Sequence, residues 1–146
     1  MNNRGVTLIE LIIVVAVIGI IAMIAVPAYI GQQKNATRSE AYSNLQNLRL
    51  LEEQFFAEQS TYAPTAGNVA LIQAVGVLPG FKPGAGLSFS YQILLNNQLD
   101  TPVTNPPTWA GSPAGTQCFT AIATGNTGSR VAGDVFAIDC NNNRNF

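Results

Sequence analysis

From Leu11 to Val26 the chain carries no polar side chain. Widening the window to Val6–Val26 gives 21 residues with one charge, Glu10. As a helix this stretch spans roughly 31 Å, the thickness of a bilayer's hydrocarbon core. The run predicts a membrane-spanning helix. A secretory signal would have a shorter apolar core, about 7–15 residues, followed by a small-residue cleavage site. Arg4 precedes the run and Lys34 and Arg38 follow it, so the positive-inside rule gives no orientation.

Outside this run, the composition mostly excludes. The 146 residues suit one domain, with only 10% charged side chains and a net charge of −1. There is no histidine, which removes imidazole acid–base chemistry and imidazole metal sites. Two cysteines are too few for a four-thiolate zinc site. Seven Lys and Arg against eight acids make no basic patch for nucleic acid.

Glu10 is the informative residue. A carboxylate inside a bilayer is expensive, though less so near the end of a span. It either reaches the headgroups, sits protonated, or has a partner. No Lys or Arg lies within helical reach in the run, so a partner would be a chain terminus or another subunit.

Arg4-Gly5-Val6-Thr7-Leu8-Ile9-Glu10-Leu11 resembles the processing motif of type IV pilins and type II secretion pseudopilins. The apolar continuation to Tyr29, with Gly19 and Pro27, is similar too. The likeness covers roughly residues 4 to 30. It implies cleavage after Gly5 by a membrane prepilin peptidase, which also methylates the new N-terminus, Val6. Valine stands where phenylalanine is usual. Glu10 matches the assembly glutamate, which pairs with the N-terminal amine of a neighbouring subunit. Such a pair is strong in Coulomb terms and costly to desolvate, so its value lies in register. Pro27 removes a backbone donor and Gly19 weakens the helix. The resemblance implies that the backbone between them melts on assembly.

Residues 28 to 60 continue as an amphipathic helix. Ala41, Leu45, Leu48, Leu51 and Phe55 form an apolar stripe. Leu50 and Phe56 fall off it and are candidates for a subunit contact. Glu52 and Glu53 point to different faces and read as solvated charges, not paired catalytic carboxylates. The helix should stop near Ser60, where turn formers precede Pro64. From Val6 to Gln59 it would be roughly 80 Å long.

Val69–Val75 suggests a short helix, and Gly76–Gly86 is turn-rich. Leu87–Ile93 alternates like a half-buried strand. Asn96–Gln117 holds four prolines and reads as a long exposed loop containing Trp109. Gln117–Ala123 and Asp134–Cys140 are further strands, joined across a glycine-rich loop from Thr124 to Gly133. One register sets Cys118 opposite Cys140, Thr120 opposite Ile138 and Ile122 opposite Phe136. That would allow a disulfide between Cys118 and Cys140; two buried free thiols are the alternative. The extracytoplasmic setting and the C-terminal loop of many type IV pilins favour the disulfide. Asp134 and Asp139 fall on opposite strand faces, a poor calcium pair. That speaks for a pilus over a secretion pseudopilus, whose major subunits often carry calcium there.

The expected fold class is α+β: a long N-terminal helix packed on a small antiparallel sheet of three or four strands. The expected division is a leader at 1–5, a membrane and filament-core half-helix at 6–27, and the amphipathic half with the head at 28–146. The resemblance implies a structural prepilin, not an enzyme, with no cofactor and no metal. It would be an inner-membrane precursor, then part of a surface fimbrium of the kind used in adhesion and twitching motility. Its partners would be copies of itself, the peptidase and the pilus assembly machinery. A pseudopilin, a minor pilin, or an adhesive or DNA-contacting subunit using the 96–117 loop are the alternatives. A conducting fibre has little support, because only Tyr29 lies near the apolar span.

Overall fold

The computed structural model describes residues 6–74, 76–84 and 87–146. The chain divides into two compact units, one ending at Ala36 and one beginning at Thr37. Helix α1, Leu8–Gln59, contributes to both.

In the first unit every apolar side chain of the helix is exposed, from Leu8 at 77% to Ile30 at 52%. The helix assignment continues through Gly19 and Pro27.

The second unit has its own core. Ala41, Leu45, Leu48 and Glu52 are the buried residues of α1, spaced four, three and four apart. Leu51 and Phe55 are half-buried beside them. Leu50 is exposed, and Phe56 rests on Tyr62 with ring centroids 4.6 Å apart. The helix ends where expected. Ser60 takes a left-handed φ of 56°, and its N–H donates to the Phe56 carbonyl at 2.8 Å. A short helix α2, Val69–Ile72, begins at Asn68, whose side chain accepts from the Leu71 N–H. It is shorter than expected; Val75 lies outside the described residues, as do Ala85 and Gly86 of the expected turn-rich stretch.

Five strands follow: β1 Phe89–Leu95, β2 Asn97–Leu99, β3 Trp109–Gly111, β4 Phe119–Gly125 and β5 Val135–Asp139. They form an antiparallel sheet in the order β1-β4-β5 and a separate two-stranded ribbon, β2-β3. Phe89, Tyr91 and Ile93 alternate into the core from β1, as the sequence pattern predicts. The central strand β4 sends Phe119, Ala121 and Ala123 to the same core.

Two expectations need correction. Asn96–Gln117 is not simply an exposed loop. Its first short strand, β2, lies over the outer face of the sheet, where Leu99 buries against Ile122 and Ala137, and β3 pairs with it. The cause is that Ile122 of β4 and Ala137 of β5 place apolar side chains among the threonines of that face, and these need cover. Trp109 is 42% exposed at one end of this ribbon.

The β4-β5 register also differs by one residue. Thr120 faces Asp139, Ala121 faces Ile138, Ile122 faces Ala137 and Ala123 faces Phe136. A one-residue slip exchanges sheet faces. The observed register opposes the large Phe136 and Ile138 to alanines on the core side, leaving room for Tyr42. The Tyr42 ring meets Phe136 edge-on at 4.8 Å and stacks on Phe146 at 4.6 Å.

Candidate functional site

The start of α1 is built by local chemistry. Thr7 precedes the first helical residue, and its Oγ accepts the Glu10 N–H at 3.3 Å. Glu10 Oε2 accepts in return from the Thr7 N–H at 2.8 Å and the Thr7 hydroxyl at 2.7 Å. This reciprocal pair is a capping box, which satisfies donors that a helix start leaves bare. The acid also lies at the positive end of the helix dipole. Threonine followed three residues later by glutamate is the sequence signal for it. The partner of the acid within its own helix is thus a hydroxyl and a backbone N–H, not a lysine or arginine.

Val6 is 78% exposed. Gly5, the expected residue before the cut, lies outside the described residues. At Gly19 an added Cβ would meet no atom within 4 Å. Pro27 sits within α1. The site is therefore a short polar cap followed by an apolar rod that, among the described residues, is exposed along its length.

At the other end of the chain, a disulfide joins Cys118 and Cys140, with their Cα atoms 5.4 Å apart. Cys118 immediately precedes β4 and Cys140 immediately follows β5. Asp139, fully buried, organises the residues after the bond. Its carboxylate accepts from the N–H groups of Leu99, Asn141 and Asn143 and from the Asn143 side chain, at 2.8 to 3.1 Å. Asp134 makes a two-point salt bridge to Arg38, with contacts of 2.7 and 2.9 Å. Both carboxylates are thus engaged by donors of the chain. Among the described residues, no three acids, cysteines or histidines gather as metal ligands.

Glu52 corrects the reading of a solvated pair. It is fully buried, and its Oε2 accepts the Ala63 N–H at 2.9 Å. Burial, with repulsion from Glu53, pushes its carboxyl up to about 7 against the Ala63 hydrogen bond. The stripe positions Ala41, Leu45 and Leu48 predict position 52 at helical spacing; its charge is what disguised it.

Residues 1–26 match the family model for the prokaryotic N-terminal methylation motif. The chain is also 38% identical to the type IV major pilin protein PilA of Myxococcus xanthus (strain DK1622), over 70% of this chain and 45% of the relative. It thus spans less than half the length of that relative. No solved structure matches the chain.

Proposed function

We propose that this type IV pilin homologue is the structural subunit of a type IV pilus. The carrying observation is the junction of the methylation motif with a half-helix whose apolar side chains are all exposed. Such a surface is stable only in lipid or against other helices.

In this reading the leader 1–5 is cut after Gly5 and Val6 is methylated at its new amine. The segment 6–27 holds the precursor in the inner membrane. The subunit then enters a surface filament with that segment at its centre. Glu10 directs assembly by attracting the amine of a neighbouring copy. Thr7 presents the carboxylate at the helix start until then. The backbone between Gly19 and Pro27 gives way on assembly. The peptidase and the assembly motor are separate proteins, and the subunit's role is structural, not catalytic.

The test is mass spectrometry of the N-terminal peptide from fibres sheared off intact cells. The expected result is an abundant peptide beginning with methylated Val6. Membranes holding a chain that still begins at Met1, with none in the sheared fraction, would overturn the reading. Glu10→Ala should insert normally and yield few or no fibres; normal fibres from that variant would remove Glu10 from the mechanism.

A further inference from the structure

Two buried carboxyl groups in the second unit are treated very differently. Asp139 accepts four hydrogen bonds. Glu52 accepts one, from the Ala63 N–H, and its Oε1 has no partner. A buried carboxylate with one neutral donor is poorly compensated for the water it lost. The filament reading gives Glu52 no role.

The charged surroundings do not repair this. On α1, Glu53 adds repulsion. Arg49 lies three residues before Glu52, but its Nε is buried without a partner, so it does not bond Oε1. From the segment after the helix comes Tyr62, whose hydroxyl is hydrogen-bonded to Glu53 and pushed up by burial and the two glutamates against the pull of Arg49. Helix α2 and strands β1 and β4 contain no acid or base except Tyr91, whose oxygen accepts from Asn44.

The segment that Glu52 holds is short and tethered at both ends. It starts at the left-handed Ser60 and is fixed again where Ala66 and Ile93 exchange backbone hydrogen bonds of 2.8 and 3.0 Å. Between these points, Tyr62 lies against Phe56 at 4.6 Å and Phe119 at 4.9 Å.

We propose that Glu52 is a proton-operated latch: protonated, it keeps Tyr62–Pro64 seated on α1, and on ionisation it releases them while the disulfide-closed sheet stays folded. Release uncovers Tyr62 and the inner face of Phe56, changing the apolar surface beside Leu50. The raised titration range of the carboxyl puts this change near neutral pH. The latch goes beyond the filament reading and does not depend on it.

The test is amide hydrogen exchange on the full chain in detergent micelles, at about pH 5 and about pH 8, corrected for intrinsic exchange rates. Protection of the Ala63 amide, which donates to Glu52, should fall at least about tenfold at the higher pH, with β4 and β5 unchanged. Glu52→Gln, which cannot ionise, should remove the pH dependence. Equal protection at both pH values, a drop that persists in Glu52→Gln, or loosening of the whole sheet would each overturn the latch. Should Glu52→Gln not fold, the Glu52 carboxyl is titrated in the wild-type chain by NMR. A midpoint at the ordinary glutamate value near 4.5 would equally overturn it.

Discussion

The two parts of α1 handle apolar side chains in opposite ways. In the first, Ile18 is 59% exposed and Met23 79%. In the second, Ala41, Leu45 and Leu48 are wholly buried against the sheet and the segments around it. The backbone is the same continuous helix. Helix geometry therefore does not decide stability here; what covers the side chains does. The second part brings its own cover. The first supplies only an exposed apolar surface.

Substitutions that test this contrast fall mainly on the second unit. The largest effect belongs to Gly125→Ala. A Cβ there would lie 1.8 Å from the Val131 carbonyl oxygen, which forces the backbone apart. We expect a loss of about 4 kcal/mol or more in thermal or denaturant unfolding. Near-wild-type stability would mean that the Val131 loop is not held as described.

Opening the Cys118–Cys140 bond, by reduction or by changing both cysteines to serine, should cost about 3 kcal/mol through the loop it closes. Fibres already assembled should keep their N-terminal packing. Filaments that dissolve on reduction would show that the two regions are not independent.

The pH effect from Glu52 is of similar size. Its carboxyl is raised from 4.5 to about 7 on folding, so the folded chain holds the extra proton. This contribution is fully present below pH 4.5 and is lost as pH rises through 7, by about 3 kcal/mol in all. Unfolding midpoints measured from pH 4 to 8 in wild type and Glu52→Gln separate it from the other acids. A flat difference between the two profiles would rule it out.

Arg38→Ala should cost about 1 kcal/mol. The salt bridge to Asp134 is two-pointed but a third of the arginine remains exposed. A cycle with Asp134→Asn reads the coupling directly.

The smallest effect on stability sharpens the contrast most. Ile18→Ala should change head unfolding by no more than about 0.5 kcal/mol, because that side chain is 59% exposed. Fibre yield should fall nonetheless. A large loss in head stability would break the distinction between the two parts of the helix.

Some of this was legible in the residues alone. The apolar run, the Ala41-Leu45-Leu48 stripe, the stop at Ser60 and the alternation in β1 each depend on local period or local turn chemistry, which sequence records directly. The Thr7–Glu10 box is equally local, and its signal is a hydroxyl three residues before the acid, not an opposite charge.

Other features were settled only by tertiary packing. The β4-β5 register turned on which face could fit Phe136 and Ile138 beside Tyr42. Part of the 96–117 segment folded onto the sheet because Ile122 and Ala137 needed cover, which Leu99 supplies. Glu52 occupies a buried position of the stripe although its side chain favours water. In each case, the deciding neighbour lies far along the chain. Periodicity and local propensity describe a residue's preferences; only the assembled core decides which of them prevails.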